Sequence, residues 1–388
     1  MATYQFDEIV NRAQSYSTKW VSAPDGGRLP DDIIPLWVAD MDFPCALPIR
    51  NAIQEAAKQE IFGYTAFPDN YRTTVCDYFQ RRHGYRPKEE EMVYTQGVVP
   101  ALRLLVRALT EPGDEVIIQT PVYYPFFSTI RDQGRILVEN PLLNDNGSYT
   151  MDYENLEELA ARPQTKMIIL CSPHNPVGRV WTEEEVKKVY EICTRHGLFI
   201  ACDEIHCDLI RKGYTFTSMK KMYPDADNLA VCTAPSKTFN IAGLGASHMF
   251  IHGEQERERV LQECGFIGAN PMTAAGVIAA LTQCDDWLDA VNDYTDANFQ
   301  WFYEEMAKSF PKAIVTRTEG TYLAWMDILP YTEDSKSVET QLLKDCHVYL
   351  ECGDAFDGKG FLRINLASPL PLLKEAAKRA CEYYKDKI

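Results

Sequence analysis

The sequence predicts an α/β fold, with a large domain on a mainly parallel central sheet flanked by helices and a smaller α+β domain after it. Three observations carry this. From about Glu91, short apolar runs of strand length alternate with amphipathic segments, the rhythm of βαβ units. After about Asp285 that rhythm gives way to one long polar helix and two further apolar runs. At 388 residues, 46% of them hydrophobic and 24% charged, the chain is long enough for a large core and a second, smaller one.

Residues 1–47 mix Pro, Gly and short apolar pieces such as Ile34-Pro-Leu-Trp-Val-Ala39, which reads as an arm joined to part of the small domain. Helical periodicity starts only at Pro48 to Ile53. Residues 48–285 form the large domain, with strand candidates at 115–119, 166–171, 198–202 and 229–234. Between two of these, Thr182 to Arg195 opens on a capping-box pattern, Thr182-Glu-Glu-Glu185, and sets Val186, Val189, Tyr190 and Cys193 at helical spacing. Such a helix is long enough for a parallel crossover. Residues 286–388 form the small domain: the polar helix to Phe310, apolar runs at 320–328 and 361–366, and a terminal helix whose Leu373, Ala377, Ala380 and Tyr384 share a packing face.

Charge and composition exclude several classes. Lys and Arg number 39 against 56 Asp and Glu, a net charge of −17, so nucleic acids and anionic membranes are repelled. No apolar run approaches the roughly 18 residues of a membrane span, and the opening MATYQFDEIV lacks a secretory pattern, so a cytoplasmic location is expected. The 12 cysteines include no C-x-x-C pair and read as reduced thiols.

Three polar residues follow or end the predicted strands: Asn175, Asp203 and Lys237, at intervals of 28 and 34 residues. Each interval holds a helix and the next strand, so the three side chains can converge on one crevice at the strand ends. Lys237, behind Ser236 at the end of an apolar strand, is placed for desolvation, which favours the neutral amine that attacks carbonyls. An ionised Asp203 aimed at a heterocyclic nitrogen would keep that nitrogen protonated. Singly, each has an ordinary reading, Asp203 as a helix cap and Lys237 as a solvated surface residue.

Gly97, Val98 and Val99 precede a helix with Pro100 in its first turn, a place where backbone N–H groups face an anion or where Gly serves packing alone. Tyr123 can stack on a cofactor ring or simply fill the core. Arg363 offers a planar fork for a substrate carboxylate, or a structural ion pair. The run Gly243-Leu-Gly245-Ala-Ser-His248 lacks the third glycine of a dinucleotide loop, and Cys202 to Cys207 lacks the second ligand pair of a structural zinc site. Neither a nicotinamide cofactor nor a metal is expected.

Together, Ser172-Pro-His-Asn-Pro-Val-Gly178, Asp203-Glu-Ile-His206 and Ser236-Lys-Thr-Phe-Asn240 resemble, in order and spacing, the signatures of the pyridoxal-phosphate enzymes of fold type I, the aminotransferase class I/II family. The resemblance runs from Leu36-Trp-Val-Ala-Asp-Met-Asp-Phe43 to Arg363. It implies pyridoxal 5'-phosphate as cofactor, with Lys237 as the catalytic Schiff-base lysine, Asp203 on the pyridine nitrogen, Asn175 on the ring hydroxyl and Tyr123 stacked on the ring. Gly97, Val98, Val99 and Ser236 would hold the phosphate, and His206 would lie against the cofactor. Tyr64 would reach the cofactor phosphate of a neighbouring subunit, which implies a homodimer with shared sites. Arg363, with Tyr123 and Asn175, would hold an amino-acid substrate by its α-carboxylate, and Ala39 and Asp40 would close over it.

Two departures narrow the expectation. Many class I aminotransferases carry arginine eight residues after the lysine, where this chain has Gly245, and tyrosine where it has His206. With Trp-Val-Ala-Asp-Met-Asp-Phe43 and Thr-Tyr-Leu-Ala-Trp325, these resemble the carbon–sulfur lyases of the MalY/PatB type, cystathionine β-lyases by activity. The expected reaction is β-elimination from L-cystathionine or S-substituted cysteines to thiol, pyruvate and ammonia. The alternatives are an aminotransferase of the same family and a regulatory protein that binds a transcriptional activator.

Overall fold

The computed structural model describes residues 4–24, 26–265 and 267–385. Its central sheet has seven strands, ordered from one edge as Met92–Thr95, Ser247–Ile251, Leu229–Thr233, Phe199–Asp203, Thr165–Cys171, Glu115–Ile118 and Ile136–Glu139. All run parallel except Ser247–Ile251, which is antiparallel to both of its neighbours. Helices on both faces bury the sheet, so the middles of its inner strands are apolar; Ile168, Ile200 and Val231 have no exposed surface. The fold class is the one the sequence predicts.

The Glu183–Arg195 helix makes the crossover between two central strands, and its start is fixed by the predicted box: Glu185 N–H donates to Thr182 Oγ1 (3.2 Å) and Thr182 N–H to Glu185 Oε2 (2.8 Å). Satisfying two orphan donors stops the helix from fraying into the loop that carries Asn175. On the far side of the sheet the Val98–Leu109 helix buries Leu102, Leu105 and Val106 completely.

A second, antiparallel sheet is ordered Ile314–Val315, Leu323–Asp327, Phe361–Asn365, Glu351–Cys352. The 25-residue Asp285–Ser309 helix leads into it and the Leu370–Tyr384 helix packs on it, with Leu373 buried and Ala377, Ala380 and Tyr384 partly so. The arm joins this layer through Ile34–Pro35, which pairs in parallel with Val348–Tyr349.

The structure corrects the expectation of no helix before Pro48. Thr18–Val21 is one helical turn, too short to show periodicity and held by tertiary burial of Lys19 and Trp20. Its anchor is Asp42, which accepts from Lys19 Nζ (2.7 Å), Arg12 Nη1 (3.1 Å), Trp20 Nε1 (3.1 Å) and Ser368 Oγ (2.5 Å).

Candidate active site

The carboxyl ends of the inner strands open on a cavity of about 190 Å³. Asn175, Asp203, His206 and Lys237 line it, brought together from three successive strand ends, and Ala39 of the arm closes over them. Tyr123 forms a further wall, and Gly97, Val98, Val99 and Ser236 line the remaining side.

Lys237 sits on the one-turn helix Pro235–Thr238 that follows the Leu229–Thr233 strand. Its Nζ donates to the Ala39 carbonyl (2.6 Å), which also accepts from Tyr322 Oη (2.9 Å). Burial lowers the amine from its ordinary value to about 8, against the pull of Asp40, so far more of it is neutral near neutrality than of an ordinary lysine, although the ammonium still predominates there. Thr238, next in the chain, donates to Asp208 (2.8 Å), which also binds His83 (2.8 Å) and so fixes the turn from behind.

Asp203 ends its strand with 3% of its surface exposed. One oxygen accepts from Ile205 N–H (3.0 Å), and burial pushes the carboxyl up to about 7. Burial outweighs the charge of Lys237 at this carboxylate, and a protonated ring nitrogen would supply a direct counter-charge. His206 is held neutral, lowered to about 3 by burial and then by Lys237 and Arg363, and among the described residues its buried Nδ1 has no hydrogen-bond partner. Gly97 is the N-cap of Val98–Leu109, and among the described residues no side chain caps that helix, so the N–H groups of Val98 and Val99 are available to an anion.

Arg363 stands behind this wall, 3% exposed, donating from Nη1 to Asn175 Oδ1 (3.3 Å) and from Nη2 to the Trp37 carbonyl (2.8 Å). Phe356 lies under its guanidinium at 4.5 Å.

Three of the predicted residues lie away from the lining: Arg363, which stands behind the wall, Asp40 and Tyr64. The Asp40 carboxylate turns to Arg12 (2.9 Å) and Lys19 (3.5 Å), and these hold it below the usual carboxylate range; its neighbour Ala39 meets the cavity instead. Tyr64 is fully exposed, in a stretch where Ile61 and Phe62 are exposed at 83% and 58%.

The structure gives physical roles to two residues that the motifs only mark. Tyr322, completely enclosed, braces the arm through the Ala39 carbonyl, and its ring meets His206 edge-on at 6.0 Å. Gly245 adopts φ +61°, and a Cβ there would stand 3.4 Å from the Gln96 carbonyl, so arginine at this place would be strained.

The chain matches the family model described as aminotransferase class I and II over residues 31–379. It is 37% identical to cystathionine beta-lyase PatB of Bacillus subtilis (strain 168), over 96% of this chain and 98% of that protein. It is 28% identical to protein MalY of Escherichia coli (strain K12), over 96% of each. Among solved structures, cystalysin from Treponema denticola, which contains a pyridoxal 5'-phosphate cofactor, superposes with a TM-score of 0.94 at 34% identity, covering 99% of this chain and 100% of that one. The pyridoxal-phosphate-bound C-S lyase from Staphylococcus hominis does so with a TM-score of 0.92 at 31% identity and 98% coverage of each. With the family model spanning most of its length and relatives of this identity covering nearly all of it, the chain belongs to the aminotransferase class I and II family.

Proposed function

We propose that the protein is a pyridoxal-phosphate-dependent carbon–sulfur β-lyase of the cystathionine β-lyase type, cleaving L-cystathionine or S-substituted cysteines to a thiol, pyruvate and ammonia. The observation that carries this is the meeting of Lys237, Asp203 and Asn175 at one cavity, in a chain whose relatives are named cystathionine beta-lyase and C-S lyase. In place of the aminotransferase arginine and tyrosine stand a left-handed Gly245 and a neutral, buried His206.

The chain's own groups fit the cofactor. A desolvated amine suits its aldehyde, a lone buried carboxylate its ring nitrogen, the orphaned Nδ1 of His206 a polar substituent, and an uncapped helix start its phosphate. When bound, pyridoxal phosphate supplies an electron sink for the charge left at the substrate α-carbon. Lys237 would hold the cofactor by its aldehyde, and its neutral Nζ, when free, would take the substrate α-proton. Asp203 would hold the ring nitrogen in its protonated form, Asn175 would hold the ring hydroxyl, and Tyr123 would lie against the ring. Gly97, Val98, Val99 and Ser236 would hold the phosphate. Arg363 clamps the α-carboxylate as a planar fork, which fixes the α-hydrogen towards Lys237. The β-carbon–sulfur bond would break with its electron pair on sulfur, the Lys237 ammonium would return the proton to that thiolate, and the remaining three-carbon enamine, once released, would take up water to give pyruvate and ammonia.

The same proposal makes the enzyme a homodimer. The exposed strip of Ile61, Phe62 and Tyr64 is the kind of apolar surface that a second copy covers, with Tyr64 on the neighbour's phosphate site. It divides the chain into an arm (1–47), a cofactor-binding domain (48–285) and a small domain (286–388). Twelve cysteines held as thiols suit the cytoplasm, and among the described residues no helix is long and apolar enough to cross a membrane. The test is thiol and pyruvate release from L-cystathionine with no keto acid present; strict dependence on a keto acid would make the protein an aminotransferase.

A further inference from the structure

Arg363 has a neighbour that the proposed chemistry leaves unused. In the second sheet, Glu351 is the register partner of Arg363 on the adjoining antiparallel strand, so the two side chains project from the same face. That face is turned to the site, since the Arg363 guanidinium reaches Asn175. Yet the guanidinium bonds to Asn175 and to the Trp37 carbonyl, and among the described residues no hydrogen bond or ion pair reaches the Glu351 carboxylate. The nearby cation Lys336 is bound to Glu339 instead. Glu351 is thus a partly buried carboxylate that feels the charges of Arg363 and Lys336 but, among the described residues, is bonded to neither.

Its surroundings join the cavity wall to solvent. Tyr124, 40% exposed, feels the charge of Glu351, and its ring meets Tyr123 at 5.4 Å and Phe356 at 5.5 Å. Tyr123 lines the cavity. A substrate held by its α-carboxylate on Arg363 therefore has beside that residue a carboxylate that an arriving cation can pair with.

We propose that Glu351 is a specificity-determining residue that selects S-substituents bearing a cation, the distal ammonium of L-cystathionine being the natural case; this rests on the β-lyase reading above. Burial raises the Glu351 carboxyl to about 7 despite Arg363, and an arriving ammonium restores its ionised form.

The test compares S-(2-aminoethyl)-L-cysteine with S-propyl-L-cysteine, of equal chain length and differing in the terminal charge, on cofactor-loaded wild type and Glu351→Gln. Dissociation constants come from the cofactor absorbance change on rapid mixing, and kcat/KM from pyruvate release. In the variant, binding and kcat/KM for the aminoethyl compound should weaken about tenfold to a hundredfold, as for a lost charge-assisted hydrogen bond, while the S-propyl values stay as in wild type. Equal losses for both would reduce Glu351 to a positioning residue for Arg363 and overturn the proposal, and so would no loss for either. If neither compound yields pyruvate with wild type, the lyase reading fails by itself, and the ratio of dissociation constants still decides the role of Glu351.

Discussion

Lys237 and Ala39 stand 198 residues apart and are joined by a 2.6 Å hydrogen bond from the lysine Nζ to the alanine carbonyl. The contact makes the arm a wall of the cavity, so the site is complete only when the first forty residues are docked. It also holds the amine in surroundings dry enough to favour its neutral form.

The reactivity of that amine should follow its lowered value. Desolvation penalises the ammonium, so the neutral nucleophile predominates above about 8, well below the ordinary lysine value of 10.5. The rate at which the apoprotein takes up pyridoxal phosphate, followed by absorbance, should rise with pH and level off just above 8. Lys237→Ala should leave no borohydride-reducible link to the cofactor. A rate still climbing into the ordinary lysine range, or a link surviving in the variant, would contradict the assignment.

Docking of the arm should depend on Asp42. Removing its carboxylate leaves Lys19, with no exposed surface, without its 2.7 Å partner, and leaves Trp20 and Ser368 without theirs. Breaking a buried ion pair on one side costs about 3–5 kcal/mol. Asp42→Ala should fall at the lower end, because Asp40 remains 3.5 Å from Lys19. Denaturant midpoints measure it, and a midpoint equal to wild type would show that the arm is held by other contacts.

Tyr64 should act across the subunit boundary. Tyr64→Ala chains and Lys237→Ala chains, each inactive alone, should recover activity when mixed and allowed to exchange, because one site of each heterodimer then has an intact Lys237 from one chain and an intact Tyr64 from the other. Verified exchange without recovered activity would argue against a shared site.

What the sequence makes legible here are interruptions of pattern. Asn175, Asp203 and Lys237 stand out because each is a polar residue at or just after the end of an apolar strand, and the Glu183–Arg195 helix because Thr182 and Glu185 carry its start in the local chain. The hairpin joining Leu143–Asp145 to Ser148–Thr150 is equally local, since Asn146 and Gly147 both take positive φ. Glu351 is invisible at that level. Its relation to Arg363 is a matter of register between two strands, and nothing in the run Leu350-Glu-Cys352 signals it. The bracing contact of Tyr322 and the Thr18–Val21 turn are hidden for a similar reason, as both are fixed by contacts distant in sequence. Ala39 and Asp40 show the limit most simply: in one motif, one residue meets the cavity while the other turns to Arg12 and Lys19.

The central claim is elimination rather than transamination, and counting turnovers tests it most directly. Loaded enzyme mixed with excess L-cystathionine and no keto acid should release pyruvate and thiol in equal amounts, far beyond one per active site, while the cofactor absorbance returns to its starting form. An aminotransferase would stop after a single half-reaction with its cofactor aminated. Release of no thiol, with turnover of ordinary amino acids only when a keto acid is added, would contradict the account while leaving the cofactor site intact.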